Sequence, residues 1–362
     1  MVRVPDRPGQ GPGGDEPGYE VIGGGLVDDQ PRAEPPGIGS QPVRDTVFKN
    51  AAAHAWHDAR TSFSSWLFWL SCCSGVALAA GTAAGLVAWA LRNGWIGNEM
   101  QAATFVVMTA FLGLPAAVLG VVWGFRHVHE SLLVMLLGGA LRGLALAVLA
   151  LPVLLVVGIS GGGPPALAGA AVVVMVLEVA LFGLLGAGCR GCFALEGPGV
   201  ALATVLAAFF CVGNVVLTVL LLPGTSEEAG ASVPVNIQRD DARRITTYEC
   251  VGDLHPVEVA HTDRVAWLAA SNPALLLGSV GAGFVEPDSD VAWVLSGLQF
   301  AADGPAAEVP CLNGVASDGL PPAMAVPVMG FAMQAGIAVL LAVLGRWLAS
   351  RRLATKPWAA GA

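Results

Sequence analysis

Residues 132–159 read LLVMLLGGALRGLALAVLALPVLLVVGI, a run in which Arg142 is the single charged side chain. A helix needs roughly 20 apolar residues to cross the hydrocarbon core of a bilayer. This run exceeds that length, and no amphipathic alternation would give it a wet face. It predicts a transmembrane helix. Working outward, five further stretches qualify, at 64–91, 101–125, 165–188, 199–223 and 323–349. The expected fold class is an all-α polytopic membrane protein with six transmembrane helices and a small mixed extracellular domain between helices 5 and 6.

Composition agrees. The chain of 362 residues is 55% hydrophobic and 12% charged, with a mean hydropathy of +0.67. Soluble domains carry roughly 25% charged residues, so the lipid bilayer is the expected solvent for most of the surface. The net charge of -9 argues against nucleic acid as a partner. Residues 1–43 are rich in Gly, Pro, Asp and Glu and contain no apolar run of signal-peptide type. They predict a disordered cytoplasmic tail, because such a segment buries too little to offset its ordering entropy. The tail is a candidate binding segment for a cytoplasmic protein partner.

Orientation follows from the basic residues. Arg44, Lys49 and Arg60 precede span 1, Arg126 joins spans 2 and 3, and Arg190 joins spans 4 and 5. Arg346, Arg351, Arg352 and Lys356 close the chain. All lie on one side if both termini are cytoplasmic. The segment 224–322, with fourteen Asp and Glu against four Arg, then lies outside. Within it ARRITTYECV predicts a strand, and DRVAWLAA and DVAWVLSGLQFA predict helices. Cys250 and Cys311 fall in this outer segment, where they are expected to form a disulfide. Closing a loop of about sixty residues would stabilise by roughly 4 kcal/mol. Upstream, Val47, Phe48, Ala51, Ala52, Ala55 and Trp56 recur at helical spacing over 44–60. That segment is either an interfacial amphipathic helix or the extended start of span 1.

Motifs of chemistry are sparse. No Gly-Lys dipeptide occurs, which excludes a P-loop, and no His-Glu-x-x-His zinc helix is present. Gly158-Ile159-Ser160-Gly161-Gly162 matches the Gly-x-Ser-x-Gly pattern but ends a transmembrane helix, so it reads as a turn and not as a nucleophile elbow. Cys189-Arg-Gly-Cys192 has metal-ligand spacing without a second ligand pair, so two small residues at a span end are the expectation. No catalytic residue, cofactor or metal is expected, and the chain is not read as an enzyme. The informative polar residues lie inside spans. Arg142 in span 3 and Glu178 in span 4 stand at similar depth on neighbouring antiparallel helices. An unpaired charge there costs at least roughly 2.5–3.5 kcal/mol, so the two are expected to pair. Asn214 in span 5 and Gln334 in span 6 are expected to extend that network as a polar pathway.

From span 4 onward the sequence resembles the permease subunits of actinobacterial ABC-2-type exporters. The residues carrying the likeness are Tyr248-Glu249-Cys250, the run from His261 to Leu268, Ser271-Asn272-Pro273, and the closing Ala349-Ser350-Arg351-Arg352-Leu353. The resemblance implies an interfacial helix, six spans, an extracellular insertion before the last, and a homo-oligomer working with a separate ABC ATPase in the cell membrane. One departure stands out. The charged cytoplasmic segment that such permeases carry between spans 2 and 3 is reduced here to about 126–131. The alternative expectation is therefore a non-transporting membrane anchor or receptor that recruits a partner through its tail.

Overall fold

Ser64 and Ser65 interrupt the first helical stretch, and this break answers the question left open over 44–60. In the computed structural model, helix α1 (Pro42–Phe63) is a helix of its own, and α2 (Trp66–Arg92) starts afresh after an extended Ser65. The structure describes residues 42–95, 102–128, 131–239, 245–285, 290–316 and 324–355. The tail expected over 1–43 falls almost entirely outside them. Ala51, Ala55 and Ala59, four residues apart, form the buried face of α1, while Val47, Phe48 and Trp56 are exposed. The alanine face lies against Leu133, Val134, Leu137 and Leu141 of α5 (Leu132–Gly161).

Among the described residues six helical stretches are long and apolar enough to cross a membrane: Trp66–Arg92, Ala103–Arg126, Leu132–Gly161, Pro165–Cys192, Glu196–Thr225 and Val326–Arg352. Each expected span has its counterpart within a few residues. The second consists of α3 (Ala103–Phe111) and α4 (Gly113–Arg126), joined through Leu112. The fourth is α6 (Pro165–Cys192), and the last belongs to α13 (Val326–Thr355). In the fifth, α7 (Glu196–Ala208) passes through a π-helical turn at Phe209–Gly213 into α8 (Asn214–Leu221).

Helix α6 stands at the centre. Its apolar window is 61% buried, against 11% for the fifth span. It packs against α4, α5, α7 and α13, and also touches α3 and the short helix at 273–282. Small residues allow this crowding, as is usual where helices pack without a hydrophobic drive between them. A Cβ on Gly124 of α4 would run into the carbonyl of Gly183, and one on Gly345 of α13 would meet the carbonyl of Gly188. The Cys189-to-Cys192 stretch belongs to the same contact, since Arg352 donates to the carbonyls of Gly191 and Cys192. The outer surfaces of the surrounding helices present Leu78, Val156, Ile159, Leu220 and Leu340. Side chains of that size on every outward face suit a lipid surround. Ser160 donates to Val157 at the exposed end of α5, before Gly162 turns the chain at φ 72°.

The segment 224–322, expected to form a domain of its own, is only in part separate from the helices. Strands β1 (Ser226–Arg239) and β2 (Ile245–Ala260) form an antiparallel hairpin with Val233 opposite Val251 and Pro234 opposite Cys250. Of these only the second was legible, because β1 mixes Ser, Glu, Gly and Pro with few β-branched residues. The expected helices appear as α9 (Asp263–Ala270) and α11 (Asp290–Asp303). The difference lies in α10 (Pro273–Ala282). It turns 106° from α9 and packs against α3, α4, α6 and α13, burying Leu276 and Leu277 in the main core. Residues 263–282 thus belong to the helical bundle. The pair is long and apolar enough together for a span, but the break splits it, and the ten-residue run of α10 alone falls short of a bilayer's width.

Cys250 and Cys311 are bridged, with Cα atoms 5.4 Å apart. The bridge and the bond from Ser232 N to Cys311 O fasten the hairpin to the turn that follows the short helix α12 (Pro305–Glu308). Non-reducing electrophoresis of membranes alkylated before lysis should show an intramolecular bridge that is lost in Cys250→Ser. Alkylation of both thiols without reductant would show that the hairpin is held by packing alone.

Candidate functional site

The π-helical turn in the fifth span and the break between α9 and α10 face one another, and each satisfies a need of the other. A π-turn displaces the regular i→i−4 pattern and leaves carbonyls in want of donors. A helix beginning inside a bundle leaves N–H groups in want of acceptors. Asn272 serves both. Its Oδ1 caps α10 by accepting from Ala274 N at 2.9 Å and Leu275 N at 3.2 Å, with Pro273 in the first turn. Its Nδ2 donates to the carbonyls of Phe210 at 3.0 Å and Cys211 at 2.9 Å.

Around Asn272 lies a buried polar cluster. Asn214 Oδ1 accepts from Asn272 at 3.3 Å and from Val215 N at 2.9 Å, and its Nδ2 donates to Ser271 Oγ at 3.1 Å. Ser271 Oγ in turn donates to Leu268 O. Gln334 Nε2 of α13 donates to Ser271 O at 3.0 Å. Glu178 of α6 is beside Gln334, and Cys211 lies close by. Asn214, Ser271, Asn272, Gln334 and Glu178 are all at most 2% exposed. The structure therefore brings Asn214, Gln334 and Glu178 together.

Arg142 is elsewhere, and the expected Arg142–Glu178 pair is corrected. Arg142 Nη2 donates to Asp58 at 2.6 Å and its Nε to Ser62 Oγ at 3.0 Å, both on α1. Helix counting gives depth and leaves direction open. The α5–α6 contact runs through Gly139 against Ala180 and Gly143 against Val176. At about 100° per residue, Glu178 lies roughly 160–200° from both Val176 and Ala180. It therefore points away from α5, toward α13 and the π-turn. A cavity of about 10 Å³, lined by Asp58, Trp123, His127 and Arg142 among others, adjoins the ion pair. That is about the room one water needs.

No protein family, curated protein or solved structure matches this chain. The site must therefore be read from its own chemistry. Among the described residues no three His, Cys, Asp or Glu side chains converge as a metal site. Ser271 is engaged with Leu268 and Asn214, and the cluster places no base beside it. Its members are amides, a hydroxyl and a carboxyl, groups that orient, bind and hold a proton. At the span ends a larger cleft of about 940 Å³ is lined by Phe125, Arg126, Arg190, Glu196, Val200 and Arg352 with five others. Arg190 pairs with Glu196 there. On the hairpin, two guanidinium hydrogen bonds from Arg264 hold the Glu227 carboxyl below the usual carboxylate range. Both side chains are exposed, so this pair adds little to stability.

Sequence reading missed Asp58, Ser62, Ser271 and Asn272 as site residues. The last two carried a local signal. An Asn-Pro step between a short amphipathic helix and an apolar run is a helix start. Asp58 gave none beyond helical spacing, since its partner lies 84 residues away.

Proposed function

We propose that this chain is a multi-pass membrane protein with both termini cytoplasmic, acting as the transport subunit of an ABC-2-type export system. It works with a separate ATPase and as a homo-oligomer in the cell membrane. The order of elements supports the reading: a separate first helix, five apolar helices, an insertion with a bridged hairpin, and a final apolar helix. The observation that carries it is the broken pair α9–α10, whose break sets a buried polar cluster against α6, α8 and α13. Broken helices and ionisable groups inside a membrane bundle are the features by which transport proteins bind and pass polar cargo.

A second reading is favoured by one specific feature. Only residues 127–131 connect α4 to α5, which leaves little chain for docking an ATPase between these helices. On that reading the protein anchors a cytoplasmic partner through residues 1–41. Purification of the tagged chain in mild detergent separates the two. The transport reading expects an ATP-hydrolysing subunit to co-purify, with hydrolysis retained after deletion of residues 1–41. A chain that purifies without ATP hydrolysis, and loses its partner on that deletion, would establish the anchor instead.

A further inference from the structure

We propose that Glu178 is a proton-binding site, in which the neutral carboxylic acid donates its hydrogen to Oε1 of Gln334. The argument is a count of donors and acceptors. Asn272 Nδ2 shares its two hydrogens among Phe210 O, Cys211 O and, at the longest distance, Asn214 Oδ1; Asn214 Nδ2 serves Ser271 Oγ; Ser271 Oγ serves Leu268 O; and Gln334 Nε2 serves Ser271 O. Three acceptors remain without a donor among the described residues: both carboxyl oxygens of Glu178 and Oε1 of Gln334. They belong to neighbouring side chains that are 0% and 2% exposed. A buried acceptor left unmatched loses its bond to water without replacement, and a charged one loses most. Rotating the Gln334 amide does not help, because its oxygen would then face the Ser271 carbonyl and strip that group of its donor. One hydrogen on Glu178 makes one carboxyl oxygen a donor for Gln334 Oε1, leaves the acid's C=O as the remaining acceptor of the three, and removes the buried charge.

Among the described residues no side-chain cation competes for the carboxyl. Of the elements packed against α6, α3 and α10 carry no titratable side chain. Helix α5 contributes Arg142, which is turned to Asp58. Helix α4 contributes Arg126, in its last turn, and α7 contributes Glu196, in its first turn and paired to Arg190. On α13 the first basic residue, Arg346, lies twelve positions after Gln334, about 18 Å along the helix. The π-turn contributes Cys211, beside Glu178.

The proton has a structural consequence. With it, Glu178 bonds Gln334, and Gln334 bonds Ser271 at the break, so α6, α13 and the α9–α10 pair are tied in one chain of hydrogen bonds. When the proton leaves to water, a buried carboxylate faces an amide oxygen and the tie is lost. The site is a proton-operated latch on the broken pair, and it holds whether or not the chain transports.

Infrared spectroscopy of the full chain in lipid nanodiscs tests this. At neutral pH the wild-type protein should show a carboxylic-acid C=O stretch that shifts in D₂O, a measurement that needs no variant. Glu178→Gln should lack the band, and Gln334→Leu should move it without removing it. The folded state holds a proton that the unfolded chain releases, so thermal stability should fall as pH rises above the ordinary carboxyl range of about 4.3 and level off once the folded site has lost its proton. In Glu178→Gln, where an amide N–H replaces the acid hydrogen as donor, that slope should flatten. The proposal is overturned if wild type shows only carboxylate bands. It is equally overturned if sodium ions raise the melting temperature of wild type and not of Glu178→Gln, which would make the site a cation site.

Discussion

Asp58→Leu should destabilise the protein by about 3–5 kcal/mol, because it leaves the Arg142 guanidinium buried and unpaired. Arg142 is 3% exposed and Asp58 14%, so the arginine is the partner farther from bulk water. Arg142→Leu should therefore cost less than Asp58→Leu, since the remaining carboxylate sits nearer the surface. The double replacement should recover much of the loss, because no lone charge remains. Protein level in membranes and the unfolding midpoint in detergent, read across the two singles and the double, measure the coupling. Strictly additive losses would show that the two side chains do not interact. Arg142→Leu combined with Glu178→Leu is the control: these residues face different neighbours, and their effects should add.

Asn272→Ala should be of similar size. It removes the cap of α10, worth about 1 kcal/mol. It also leaves the carbonyls of Phe210 and Cys211 without a donor, at about 1–3 kcal/mol each when buried. The sum is about 3–7 kcal/mol. Asn272→Ser separates the two parts, for a serine hydroxyl can cap a helix and cannot span to two carbonyls across the cluster. It should restore about 1 kcal/mol of the loss and no more. Full recovery in Asn272→Ser would mean that the cap alone matters and that the π-turn is held by its own helix. Because Asn272 both caps α10 and holds the break to the π-turn, Asn272→Ala should also loosen α10, read as faster amide exchange over 273–282 than over α6.

Much of this architecture is legible in one dimension. Six apolar runs of sufficient length, the strand around Tyr248, the short helices at 263–270 and 290–303, and the Cys250–Cys311 bridge all follow from composition, period or chain position. Segment length is a scalar read along the chain, and a bilayer-length apolar run has few other fates. Depth is similarly readable, which is why Arg142 and Glu178 were rightly seen as level with one another. Direction is not. Which way a side chain points depends on how helices are rotated against their neighbours, and that rotation is set here by glycine contacts such as Gly124 with Gly183. The result turns Arg142 to a helix that precedes the first span and Glu178 to the far side of α6. The re-entry of α10 was hidden for a related reason, since a ten-residue apolar run is stable inside a bundle only if other helices cap and surround it. The apolar runs and their order were therefore determined by the sequence itself; the pairing of the buried charges and the meeting of π-turn and helix break were decided only by tertiary packing, because each depends on partners tens of residues away whose orientation no local pattern encodes.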